Sequence, residues 1–200
     1  MSSYSSNLSG VSERSDSGNG EDVSAIRRSA ESLETLGYHY HMQNQFEDSR
    51  NMYQQAKEQF KKIGDRQGAG NCLERLGNYY NMADQYEDAK DMYQQAKEQF
   101  EEIGDRQGAG RQGVVECLQT LARMCNWGSQ YSEAKDLYQQ AREQFEKIGD
   151  RREAAECLRI RGLLCQSGKE YGDARDMLQQ AKSYFEEVGD GERPAECLET

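Results

Sequence analysis

Apolar residues recur through most of the chain at the spacing of one face of a helix. Between residues 86 and 103 they stand at steps of three or four, which aligns them on one stripe of a 3.6-residue helix. This stripe consists of Tyr86, Ala89, Tyr93, Ala96, Phe100 and Ile103. A shorter stripe precedes it, at Leu73, Leu76 and Tyr80. Because runs of β-branched residues are almost absent, the pattern predicts two amphipathic helices joined by a short turn.

The same helix pair returns along the chain. An Ile/Val-Gly-Asp tripeptide follows the second stripe of each unit, and its glycine recurs at steps of 40, 45 and 40 residues. A period near 40 residues is typical of a solenoid of stacked units. The units are expected at about residues 24–64, 65–104, 105–149 and 150–189, with a truncated fifth unit from 190.

Glycine and aspartate mark the expected helix ends. A glycine directly after a helix favours the left-handed conformation that ends it, and the aspartate that follows can cap the next helix. The terminating glycines are Gly64, Gly104, Gly149 and Gly189. Turns within the pairs are expected at Asn44, Asp84, Gly128 and Gly168.

The third unit is five residues longer than the others. Arg-Gln-Gly occurs at 106–108 and again at 111–113, which indicates a duplicated five-residue segment. We expect this insertion to lengthen the loop before the third unit.

The repeated residues resemble the tetratricopeptide repeat over about residues 24–200. In the second unit the pattern reads Leu73, Leu76-Gly77, Tyr80, Tyr86, Ala89, Tyr93 and Ala96. The resemblance implies an all-α fold, a right-handed superhelical solenoid of antiparallel helix pairs. The long unit is similar to the subclass of kinesin light chains and Pins/LGN proteins, and to fungal repeat arrays. Arg161 departs from the pattern, since it stands where a buried leucine is expected.

The composition narrows the classes of partner. The formal net charge is −11, whereas nucleic-acid and anionic-membrane surfaces need an excess of Lys and Arg. We therefore expect no nucleic acid and no membrane as partner. Residues 1–23 are rich in Ser, Gly and acidic residues, which predicts a disordered lead. The chain starts without the basic and apolar regions of a signal peptide, so a cytoplasmic location is expected.

Six cysteines fall at equivalent places of the repeat rather than in metal-ligand spacing. Each stands beside apolar residues and no Cys-x-x-Cys pair occurs, which predicts small buried hydrophobic side chains. They are Cys72, Cys117, Cys125, Cys157, Cys165 and Cys197.

No pattern in the sequence indicates catalysis. The glycine-rich stretch 64–70 lacks the Gly-Lys-Ser/Thr ending of a phosphate loop, and no strand precedes it. His39 and His41 are two residues apart and face different directions on a helix. We expect no catalytic residue, no cofactor and no metal. Trp127 is expected to pack into the core or the adjoining turn.

The resemblance implies sixteen partner-facing positions on the first helices, which line the concave face of the solenoid. They are Glu31, Glu34, Tyr38, His41, Asn71, Glu74, Asn78, Asn81, Glu116, Gln119, Arg123, Asn126, Glu156, Arg159, Leu163 and Gln166. Five glutamates and two arginines give this groove an acidic balance, which favours a neutral or basic segment. An asparagine amide can both donate to and accept from a peptide group.

The sequence therefore predicts a non-catalytic scaffold or adaptor. It would bind an extended or helical peptide segment of a protein partner in the concave groove. The alternative is a sensor or self-assembly arm of a larger, fungal-type signalling ATPase or kinase whose catalytic domain lies outside this chain. Under that alternative, self-association through the uncapped C-terminal end is expected.

Overall fold

The structure, a computed structural model, describes residues 17–103 and 108–190. Within these two ranges every regular element is a helix. The helices are α1 (Ser17–Met42), α2 (Phe46–Lys62), α3 (Arg66–Met82), α4 (Tyr86–Ile103), α5 (Gly108–Trp127), α6 (Tyr131–Ile148), α7 (Arg151–Ser167) and α8 (Tyr171–Glu187). The all-α prediction is confirmed.

Neighbouring helices in the chain are neighbours in space. Each helix packs against the one before it and the one after it, and α3 also contacts α5. Short turns join the members of each pair, so the two helices run antiparallel. This connectivity defines a solenoid of four helix pairs, α1–α2, α3–α4, α5–α6 and α7–α8, as the period of the sequence predicts.

In each pair, an aromatic ring or a branched side chain of the second helix packs against a small residue of the first helix. A Cβ atom added at Gly77 would lie 2.9 Å from the ring of Tyr93, which is buried. The same substitution at Gly162 would bring a Cβ within 2.8 Å of Leu178. The backbones therefore approach as closely as glycine permits, and buried alanines such as Ala96 fill the remaining contacts.

The predicted helix ends are found where the chain is described. Gly64, Gly149 and Gly189 have positive φ angles of 71°, 87° and 73°. The carboxylates of Asp65 and Asp150 each accept a hydrogen bond from the backbone three residues later, at 3.0 Å and 3.1 Å. Gly104 lies outside the described residues.

The turns inside the pairs lie at the predicted residues, Asn44, Asp84, Gly128 and Gly168. Asn44 and Asp84 adopt the left-handed conformation, but in the later pairs Ser129 and Lys169 do so, with φ angles of 59° and 64°. Gly168 has a φ of −79°. The register of the repeat sets the left-handed position, and this position lies one residue after the glycine. The turn therefore tolerates the cost of about 1–2 kcal/mol that a residue with a Cβ carries there.

The first helix and the third pair depart from expectation. α1 begins at Ser17, inside the segment predicted to be disordered, because helical stretches without an apolar stripe leave no periodic signal. α5 has 20 residues against 17 in α3 and in α7, and the additional residues precede its stripe. Part of the insertion therefore extends a helix, where we expected a longer loop. Residues 1–16, 104–107 and 191–200 lie outside the described residues.

Two individual predictions concern buried groups. Five of the six cysteines are buried free thiols, and Cys197 lies outside the described residues. Burial raises the pKa of Cys157 to about 12, so this thiol stays protonated.

Arg161 is half-buried and donates a hydrogen bond to Gln139 of α6, and burial lowers its pKa. Its guanidinium reaches a polar neighbour, as a long side chain at an apolar position does.

We predict that Gly113→Ala destabilises the protein. A Cβ at Gly113 would lie 2.5 Å from the ring of Phe100, which is buried and has no room to shift. The unfolding free energy in urea should fall by about 1–3 kcal/mol. Gly172→Ala is the matched control, since nothing lies within 4 Å of its added Cβ. It should raise the unfolding free energy by about 0.5 kcal/mol through helix propensity. Equal effects of the two substitutions would contradict the close approach.

Candidate functional site

The sixteen groove positions all lie on the first helices of the pairs, α1, α3, α5 and α7. Glu31, Tyr38 and Arg123 are exposed, and the other thirteen are half-buried. Half-burial is the accessibility expected of side chains that line a groove. The contact between α3 and α5 brings neighbouring first helices together, so their outward faces join.

Two rows can be distinguished by their position along the first helices. The acidic row lies toward the N-terminal half of each helix and holds all five glutamates. Its members are Glu31, Glu34, Asn71, Glu74, Glu116, Gln119, Glu156 and Arg159. The amide row lies one to two turns nearer the C-terminal end. Its members are Tyr38, His41, Asn78, Asn81, Arg123, Asn126, Leu163 and Gln166.

Negative charge in the acidic row is partly withdrawn from water. Burial raises the pKa of Glu74 above its ordinary value of 4.5, and the neighbouring Glu116 raises it further, while Arg75 opposes the change. Burial likewise raises the pKa of Glu34, against the influence of Arg75, and Glu31 adds to the rise. The acidic row therefore contains repelling carboxylates within α1 and between α3 and α5.

The fourth unit ends this acidic stretch. Arg159 donates two hydrogen bonds to the carboxylate of Glu156, at 2.7 Å and 3.0 Å. This bidentate pair lies within α7 and neutralises the only glutamate that the fourth unit adds to the acidic row. The negative potential of the groove is thus concentrated on α1, α3 and α5.

A cavity of about 540 Å³ opens beside the part of the acidic row that α1 and α3 contribute. Three of the proposed groove residues, Glu31, Glu34 and Asn71, line it. Arg27, Asp65 and Gln67 also line it, and none of the three is among the predicted site residues. Asp65 shows why they were missed: its spacing indicates a helix cap, and the same carboxylate also faces the cavity and pairs with Arg27.

The amide row has a fixed hydrogen-bond orientation at Asn78. The hydroxyl of Tyr93 on α4 donates to the side-chain oxygen of Asn78 at 2.6 Å. Burial raises the pKa of Tyr93, so its proton remains in this bond. Because the amide oxygen is engaged, the NH2 group of Asn78 is the end turned toward other partners.

Asn81 lies one turn further along the same face of α3. Its side-chain oxygen is buried, and it has no hydrogen-bond partner among residues 17–103 and 108–190. A buried acceptor without a donor costs about 1–3 kcal/mol, so such atoms are rare in folded proteins. Asn78 and Asn81 together present donors and an acceptor about one helical turn apart.

Other candidate residues take different roles. Trp127 is 69% exposed, so the expectation that it packs into the core or turn is wrong. It is the last residue of α5, and at the turn that follows no second layer of side chains covers the indole.

His39 stacks edge-on to Tyr38, and His41 edge-on to Phe46. In the described part of the chain, no three His, Cys, Asp or Glu side chains are grouped to hold a metal ion.

None of the described helices is both long enough and apolar enough to cross a bilayer.

The comparisons identify the class of protein. The tetratricopeptide repeat family matches residues 28–102 and 114–187, which together are well over half of the chain. The chain therefore belongs to the tetratricopeptide repeat family. A search of curated proteins finds no match. The narrower subclass of kinesin light chain, Pins/LGN or fungal arrays stays a prediction.

Solved structures agree on the fold. BtubC from P. vanneervenii matches at a TM-score of 0.60 and 15% identity, over 92% of this chain and 89% of its own. Aspartyl phosphate phosphatase F from Bacillus subtilis matches at 0.62 and 18%, over 86% and 44%. A signal transduction ATPase with numerous domains from Pyrococcus horikoshii, which carries a tetratricopeptide repeat sensor, matches at 0.67 and 16%, over 86% and 26%. The chain spans less than half the length of the last two.

We predict that Glu74→Gln stabilises the protein at neutral pH. The folded-state pKa of Glu74 is raised, so ionising it costs stability as the pH rises from about 4.5 through that value. The variant should have a larger unfolding free energy than the parent at about pH 7, and the difference should vanish at about pH 4. Glu98→Gln, on the exposed face of α4, is the control and should show no such pH dependence. A gain for Glu74→Gln that is equal at both pH values would contradict the prediction.

Proposed function

We propose that this protein is a non-catalytic interaction scaffold that binds a peptide segment of a protein partner along its first helices. Membership of the tetratricopeptide repeat family supports the general role of protein interaction. The sixteen groove residues are proposed as the binding surface. The partner is proposed to be neutral to basic.

The buried acceptor of Asn81 carries this proposal. A peptide backbone supplies N–H donors at regular spacing. Rotation of the Asn81 amide toward the groove would let one of them pair with its buried oxygen and remove the cost of an unpaired atom. The NH2 group of Asn78 would meet a peptide carbonyl one turn away. Two complementary bonds of this kind would hold the backbone of a segment whatever its side chains are.

The acidic row supports a preference for positive charge. Glu34 and Glu74 are already partly desolvated, so a Lys or Arg side chain placed there meets carboxylates with little water left to remove. In an extended segment, alternate side chains point to opposite sides. Lys or Arg at every second position would face the acidic row, and neutral residues would face the amide row. A segment of about 8–12 residues would cross several units.

The proposal is tested with a library of 12-residue peptides sorted by net charge. We expect peptides with alternating Lys or Arg to be selected over neutral ones, and acidic ones to be rejected. Asn81→Ala should weaken the best peptide about 5- to 10-fold, the equivalent of one hydrogen bond. The unfolding free energy of this variant should hold or rise, because the substitution removes an unpaired buried atom.

Asn51→Ala is the matched control, since Asn51 lies exposed on α2, a second helix. It should leave peptide affinity unchanged. Selection of acidic peptides, or unaltered affinity of Asn81→Ala, would contradict the proposal. The opposite signs expected for affinity and stability separate a lost contact from a misfolded variant.

The second candidate is a sensor or self-assembly arm of a larger signalling protein. One solved structure supports this candidate: a signal transduction ATPase carries a tetratricopeptide repeat sensor as part of a much longer chain. The mass of the native protein, by immunoblot of its own cell extract, decides between the two. A species near 22.9 kDa supports a free-standing adaptor, and a much larger one supports the arm. A cytoplasmic location and self-association through the C-terminal end stay predictions.

A further inference from the structure

Large apolar side chains are exposed at the turn inside each helix pair. They occupy two positions of the repeat, the last residue of the first helix and the first residue of the second. We call the most exposed of them the edge stripe: Met42, Met82, Tyr86, Trp127, Tyr131 and Tyr171. None of them is among the sixteen groove residues. Since each occupies the same register in its pair, stacking of the pairs aligns them along one edge of the solenoid.

The fold does not require these residues to be apolar. Met82 is 57% exposed and Trp127 is 69% exposed, whereas the stripe of α4 that begins at Tyr86 is buried from Ala89 to Phe100. At the position of Met82 and Trp127, the fourth unit has Ser167, which shows that the turn accepts a polar residue there. Contiguous exposed apolar surface in a soluble repeat protein marks an interaction surface.

Two equivalent cavities lie along the edge stripe. One of about 520 Å³ is lined by Phe46, Tyr79 and Met82 between the first and second pairs. One of about 440 Å³ is lined by Tyr86, Met124 and Trp127 between the second and third pairs. They are separated by one repeat. Because the helices stack in a zigzag that brings α3 against α5, this separation is shorter than two helix-packing distances of about 16–20 Å. Methionine and aromatic side chains adapt their shape to an apolar ligand.

The charged residues around the first two turns of the edge stripe are predominantly acidic. Residues 42–50 and 82–90, which form the first two turns, contain five carboxylates and two cations. Those cations are engaged already: Arg50 pairs with Glu47 and Lys90 with Glu133, each at 2.8 Å. An apolar stripe flanked by carboxylates complements a ligand with an apolar face and basic flanks.

From this geometry we infer that the edge stripe binds a basic amphipathic helix of a protein partner. Two apolar side chains of that helix, separated by at most about 11–13 residues, enter the two cavities, since a helix rises 1.5 Å per residue. Its Lys and Arg residues face the carboxylates of the first two turns. The same carboxylates disfavour an anionic lipid surface, and they repel a second copy of a chain with a net charge of −11.

The sequence supplies its own reporter for this proposal. Trp127 is its single tryptophan, and it lines the second cavity. The probe is a Leu/Lys helical peptide of about 18 residues without aromatic residues, long enough to span both cavities. We expect a saturable blue shift of the Trp127 emission and protection from acrylamide quenching. A scrambled peptide of the same composition should give neither effect.

Surface variants localise the binding. Met82→Gln with Tyr86→Gln should weaken the peptide at least tenfold, or about 1.4 kcal/mol, while Trp127 remains to report it. Ile148→Gln is the control, an exposed apolar residue of α6 outside both the edge stripe and the groove, and should leave the affinity unchanged. Both positions are exposed, so helical content and unfolding midpoint should not move.

Four results would overturn the proposal: no shift with the Leu/Lys peptide, an equal shift with the scrambled one, an equal shift with lipid vesicles, or an equal loss in Ile148→Gln. A blue shift that grows with protein concentration alone would assign the stripe to a second copy instead. The binding of library peptides in the groove is independent of each result, so the two proposals fail separately.

Discussion

The close approach of the two helices in each pair is the constraint on which the rest of the structure depends. At Gly77 the ring of Tyr93 rests against helix backbone rather than against a side chain, and Leu178 does the same at Gly162. A contact of this kind fixes both the distance between the axes and the rotation of each helix about its own axis. The composition is poor in aliphatic residues, so the core relies on rings and small residues instead. Few side chains are then interchangeable, and one register is enforced in every unit.

That register decides which residues face outward. Once Leu73 and Leu76 are turned into the core, Glu74, Asn78 and Asn81 must lie along the opposite margin of α3. The same rotation turns the last residue of the first helix away from the pair, where no further layer covers it. The acidic row, the amide row and the edge stripe are therefore consequences of one packing geometry, repeated along the solenoid. Their chemistry is set by residues that the core leaves unconstrained.

Sequence reasoning succeeded where the signal was local and periodic. The helix pairs, the cap at Asp65 and the left-handed Gly64 all follow from spacing within one unit. It did not reach features that depend on the whole repeat or on neighbouring elements. The left-handed position in the later turns follows the repeat rather than the nearest glycine, which is why Ser129 occupies it. For the site, placement on the first helices was predictable. The unpaired oxygen of Asn81 and the exposure of Trp127 were not, because both depend on what adjacent elements fail to cover.

The surfaces also differ in what they cost the fold. Partly buried Glu34 and Glu74 and the unpaired Asn81 each oppose stability, and the groove holds all three within two adjacent units. The edge stripe carries a separate cost, exposed apolar area, and shares no residue with the groove. The cost of the partly buried carboxylates and of the unpaired amide oxygen is relieved by hydrogen-bond donors and cations. The cost of exposed apolar area is relieved only by other apolar surface. A single ligand that relieved both would have to turn around the end of a first helix. Two ligands of different chemistry, each on its own surface, are the simpler solution, and the repeat offers room for both at once.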